Sequence, residues 1–67
     1  MIDARGYSCP MPVVMVQKAV SADHPERLEV LVDERVAVEN ITRFAKNSGY
    51  SVQLTEEGRD FRMTLQK

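Results

Sequence analysis

The most chemically pointed arrangement in this 67-residue sequence is Cys9-Pro10-Met11-Pro12, which contains the only cysteine and two of the three prolines. A proline disfavours the α region for the residue before it, so Pro10 sets Cys9 in the extended backbone that an N-cap residue adopts. Prolines at positions 10 and 12 also fit the first turn of a helix, where backbone N–H groups have no intrahelical partner. The spacing predicts Cys9 as the N-cap of a helix, with the free amides of the first turn facing its sulfur. Their partial positive charge favours thiolate over thiol, which makes the group a moderate nucleophile. The plainer alternative is a small buried hydrophobe followed by a helix that starts on proline.

One thiol limits the chemistry. There is no resolving cysteine and no C-x-x-C pair for a dithiol cycle. The single histidine, His24, precedes Pro25 in a polar stretch and reads as solvated loop, not as the base of a Cys-His hydrolase. Zinc needs about four ligands, and no Cys/His pair has ligand spacing, so neither a metal nor another cofactor is expected. Turnover by this chain alone has no support. A lone activated thiol can still accept a group from one partner and surrender it to another, with the partners supplying the acid-base chemistry.

The elements that must position Cys9 follow from periodicity. Met1 to Ala4 suits a short first strand, and Arg5 to Ser8 a turn in which Gly6 takes positive φ. Pro10 to Ala22 could be a buried strand because of its run Val13 to Val16. The two prolines and the helical spacing of Val13, Val16, Ala19 and Val20, with Gln17 and Lys18 outside, favour a helix. Leu28, Val30 and Val32 alternate as a second strand. Ala37 or Val38, Ile41, Phe44 and Ala45 return to helical spacing, with Asp33 as a cap near the start and Gly49 as the stop. Tyr50, Val52 and Leu54, then Phe61, Met63 and Leu65, alternate on either side of Glu57-Gly58-Arg59 as a hairpin with one wet face. The order β-α-β-α-β-β with right-handed crossovers gives a two-layer α/β (α+β) sandwich, a mixed four-stranded sheet with both helices on one face.

Composition narrows the function. Nine basic against ten acidic residues, a net charge of −1, provide no positive field for a nucleic-acid backbone. The apolar run at Val13 to Val16 is too short to cross a bilayer and no signal segment follows Met1, so no membrane association and a cytoplasmic location are expected. A chain of this length buries about 60% of its unfolded surface, enough for one domain over residues 1–67 but not for a deep enclosed pocket.

The stretch Ile2-Asp3-Ala4-Arg5-Gly6-Tyr7-Ser8-Cys9-Pro10-Met11-Pro12, with Lys18 along the following helix, resembles the TusA/SirA family of small sulfur-carrier proteins. The likeness spans essentially the whole chain, and Asp3, Gly6, Cys9, Pro10, Pro12 and Lys18 fall on the family's pattern. It implies sheet order 1-2-4-3 and makes Cys9 the residue that carries sulfur as a persulfide, with Gly6, Pro10 and Pro12 supporting it. The run from Asp33 to Ala45 looks most like the YedF branch, which often forms the first domain of longer proteins linked to selenium metabolism. Lys18, Asn40 and Arg43 are candidate partner contacts, although such residues are more often simply the solvated face of a helix.

On this likeness a cysteine desulfurase or other donor loads Cys9, and an acceptor protein removes the sulfur. Pro12 is expected to shape the surface beside the thiol. The alternative is a non-catalytic protein-interaction or regulatory module in which Cys9 is structural. A third reading, RNA binding on the open sheet face, lacks the stacking aromatics such sheets use at Ser51, Gln53, Thr55, Arg62 and Thr64.

Overall fold

A computed structural model describes residues 2–7 and 11–67. The element order is β1 (Ile2–Asp3), α1 (Met11–Asp23), β2 (Arg27–Val32), α2 (Arg35–Asn47), β3 (Ser51–Glu57) and β4 (Asp60–Gln66). The four strands form one mixed sheet in the order β1-β2-β4-β3, as expected. β1 runs parallel to β2, and β4 is antiparallel to both β2 and β3.

The register explains where the core sits. Val30 is paired with both Ile2 and Met63, Leu28 with Leu65, and Val52 with Leu65, so these side chains share one sheet face. Against that face pack Val16 and Val20 of α1 and Ala37, Val38, Ile41 and Ala45 of α2. Each large aliphatic side chain withdrawn from water there contributes about 1.5–3 kcal/mol. The core-facing residues of α1 are Pro12, Val16 and Val20, a stripe at intervals of four, while Gln17 and Lys18 stay exposed. The run Val13 to Val16 is therefore helical despite its strand propensity: a strand would set Val14 and Lys18 on the same face as Pro12, Val16 and Val20, whereas Lys18 is exposed and Val14 only half-buried.

Helix ends are set by backbone chemistry. At the end of α2 the Tyr50 N–H donates to the Ala45 carbonyl (2.9 Å) and the Gly49 N–H to the Lys46 carbonyl (3.2 Å), with Gly49 at φ 88. This is a Schellman cap, and it leaves Tyr50 buried with its hydroxyl donating to the Pro25 carbonyl at 2.6 Å. α1 ends on exposed His24, which takes the left-handed region (φ 45) while its N–H donates to the Val20 carbonyl.

Two findings depart from expectation. The residue at the N-cap of α2 is Glu34, without a side-chain cap bond, so Asp33 is not the cap; its carboxylate is engaged elsewhere. The sheet face away from the helices is also not wholly wet. Leu31 lies on it, between Asp3 and Arg62 in the register, and is only 7% exposed. Arg62 on that face pairs with Glu29 (3.0 Å) and Glu57 (3.1 Å), and the aliphatic stems of such arginines can cover apolar surface while their heads stay in water.

Candidate functional site

The chain passes from β1 into α1 through a turn whose described part is held from three sides. The Ala4 N–H donates to the Leu31 carbonyl (2.8 Å), which ties the end of β1 to β2. Gly6, at φ 84, points its N–H at the Asp33 carboxylate (2.9 Å) from the β2–α2 connection. A Cβ at Gly6 would meet nothing within 4 Å, so glycine is required there for its backbone conformation and not for space. Arg5 bridges Asp3 (2.9 Å) and Asp60 at the start of β4 (3.2 Å).

These partners converge because of strand direction. β1 and β2 run the same way, so their following loops leave the sheet at one end, and antiparallel β4 begins there. The turn at Arg5–Tyr7, the Asp33–Arg35 segment and the hairpin tip at Gly58 thus share that end. Arg35 extends the network, its guanidinium 5.4 Å from the Phe61 ring and 3.6 Å from Glu56.

Electrostatics at the turn follow from the Arg5 pairings. The side-chain hydrogen bond from Arg5, helped by the Arg5 backbone N–H, lowers the Asp3 pKa from 3.8 to about 2. Its hydrogen bonds to Asp3 and Asp60 in turn raise the Arg5 pKa further. Both side chains are about half exposed, so the network fixes geometry more than it adds stability.

Cys9 and Pro10, expected as carrier residue and first-turn proline, lie outside the described residues. Gly6 stands where the sequence puts it, in the positive-φ turn. Pro12, expected to shape the surface beside the thiol, is fully buried at the start of α1. The reason is helical phase, since position 12 starts the stripe that continues at Val16 and Val20. Exposed Tyr7 and Met11 are the described residues nearest Cys9 in the chain. Lys18 is exposed on α1, where it lines a shallow groove with Val14, Gln17, Ser21 and Ala22. Asn40 is half-buried and Arg43 exposed, both on α2, so the structure does not gather the three proposed contacts at one element. Among the described residues no group of three or more His, Cys, Asp or Glu side chains is placed to hold a metal ion.

Arg5, Asp33 and Asp60 are the turn-holding residues that sequence reasoning missed. Asp33 is 27 positions from Gly6 and Asp60 is 55 from Arg5, and no local pattern reports bonds of that span.

Comparison with known proteins places this architecture. The family model described as sulfurtransferase TusA matches residues 1–67. MJ0990 of Methanocaldococcus jannaschii, named as a candidate sulfur carrier protein, is 44% identical over 98% of this chain and 91% of its own length. YrkI of Bacillus subtilis, named in the same way, is 32% identical over 100% and 92%. The sulfur carrier protein TusA of Allochromatium vinosum is 29% identical over 98% and 90%. The crystal structure of a SirA-like protein from Desulfitobacterium hafniense superposes with a TM-score of 0.84 at 28% identity, over 96% of this chain and 90% of that one. With the family model matched over residues 1–67 and a SirA-like crystal structure superposing over 96% of it, the chain belongs to the TusA family.

Proposed function

We propose that this chain is a sulfur carrier that holds its cargo as a persulfide on Cys9. A donor persulfide, such as that of a cysteine desulfurase, presents its terminal sulfur. The Cys9 thiolate attacks that sulfur, the donor's S–S bond breaks, and the donor thiolate leaves. An acceptor protein's nucleophile then takes the sulfur from Cys9 and regenerates the thiol. Selenium is the alternative cargo by the same chemistry.

The observation that supports the reading is the position in the sequence of the chain's one cysteine. It follows a turn pinned to β2, β4 and the β2–α2 connection, and it directly precedes the proline-rich start of α1. Relatives named as sulfur carriers over nearly their whole length support it further. Pro10 would act on the backbone of Cys9 and Gly6 on the turn before it, while exposed Lys18 and Arg43 would serve as partner contacts.

The test is intact-mass measurement after incubation with a cysteine desulfurase and cysteine. A gain of one sulfur, absent in Cys9→Ser, is expected. Serine is a favoured N-cap, so this variant should lose no more than about 1 kcal/mol of stability. A stable Cys9→Ser that still gains sulfur, or wild type that gains none, overturns the proposal in favour of an interaction module.

A further inference from the structure

We propose that Asp33 is a positioning residue for sulfur transfer: by holding Gly6 it fixes the near end of the short connection that carries Cys9. This rests on the carrier reading above and adds to it a residue from a different loop.

Asp33 gives up a local use of its carboxylate for this contact. Aspartate is among the preferred N-cap residues, and a start of α2 one position earlier would put it in that place. Instead the N-cap is Glu34, whose side chain makes no cap bond, and the Asp33 carboxylate accepts the Gly6 N–H at 2.9 Å. Proteins break local rules of this kind mainly at functional sites.

Both partners are well mounted for the bond. Asp33 follows Val32, which is fully buried and paired with Phe61 in the sheet, so the core fixes its backbone, and its short side chain has little rotamer freedom to lose. Gly6 presents its N–H from a left-handed backbone, φ 84, that glycine adopts without strain.

The sequence distance between held points gives the contact its purpose. Gly6 is the last described residue before Cys9 whose backbone bonds to another element, since the Tyr7 N–H reaches back only to the Ala4 carbonyl, at 3.4 Å. Beyond Cys9, α1 begins at Met11 and is seated on the core by Pro12, Val16 and Val20. The connection between the two held points is therefore residues 7–10. Without the Asp33 bond, the nearest backbone bond to another strand is that of the Ala4 N–H to the Leu31 carbonyl. The connection then becomes residues 5–10, tethered otherwise by the half-exposed ion pairs of Arg5. Each residue released regains backbone freedom that must be lost again when a thiolate is aligned with a partner's persulfide.

The test compares wild type, Asp33→Ala and Asp33→Asn, loaded by a cysteine desulfurase and cysteine across donor concentrations, with rates taken per folded molecule and alkylation by iodoacetamide measured alongside. In Asp33→Ala the maximal loading rate is expected to fall about 3–10-fold, the range that a single hydrogen bond spans. Alkylation by the small reagent, which needs no fixed thiol, should keep its wild-type rate. Asp33→Asn, which retains an oxygen for the Gly6 N–H, should recover most of the loss. An unchanged maximal rate in Asp33→Ala overturns the proposal, as does a loss that Asp33→Asn does not restore or that alkylation shares. A loss seen only as a higher half-saturating donor concentration makes Asp33 a partner contact and overturns it as well. Wild type that the desulfurase does not load refutes the carrier reading and this proposal with it, an outcome distinct from the others because they are read against a wild type that loads.

Discussion

Asp33 is the residue whose role changes most between sequence and structure. One position before the N-cap of α2, it reads as a helix cap, yet its carboxylate accepts the N–H of Gly6 across 27 positions of chain. Asp33→Ala deletes that acceptor and should cost up to about 1 kcal/mol, whereas Asp33→Asn keeps a carbonyl oxygen and should recover most of it, as read from urea midpoints. If the turn positions Cys9, sulfur loading falls in the alanine variant and returns in the asparagine one. Asp3 provides a pH-dependent check. Its pKa is depressed to about 2, so whatever it contributes is present above the ordinary value of 3.8 and is lost as pH falls through about 2. A carboxyl NMR titration should place the Asp3 midpoint near 2 in wild type and return it toward 3.8 in Arg5→Gln. Gly6 was legible because a positive φ leaves a local signature; Asp33 and Asp60 were not, because their partners are distant in sequence.

At the scale of elements, periodicity was a good guide where one face is buried and a weaker one where both are partly covered. The β3–β4 hairpin and α2 match their expected spans closely, down to Gly49 as the stop of α2. α1 was harder, since a run of branched residues argues for a strand, and only the prolines and the helical spacing of Val13, Val16, Ala19 and Val20, with Gln17 and Lys18 outside, decide for helix. Even then the buried stripe is Pro12, Val16 and Val20, with Val13 and Ala19 at its margins. Leu31 falls on the outer side of β2, between inward Val30 and Val32, but its burial depends on its place in the sheet between Asp3 and Arg62, which alternation does not encode. The burial of Pro12 changes what its substitution reports. Pro12→Ala removes ring carbons from the core and should cost about 1–3 kcal/mol. Once corrected for the folded fraction, its rate of sulfur loading should match wild type, a split that paired denaturation and loading assays can read.

For the whole molecule, the sheet order has a consequence for how the chain acquires structure. β4, the last strand of these 67 residues, lies between β2 and β3 and supplies Met63 and Leu65 to the centre of the core. No pair of earlier strands is adjacent except β1 with β2, and that pairing covers only two residues. A fragment ending at Arg59 should therefore be largely unfolded by circular dichroism, although it retains Cys9 and both helical segments. During synthesis the thiol leaves the ribosome some fifty residues before the strand that completes its scaffold. Until then it travels on an open chain, and a donor that recognises the folded surface around it would pass the nascent protein by.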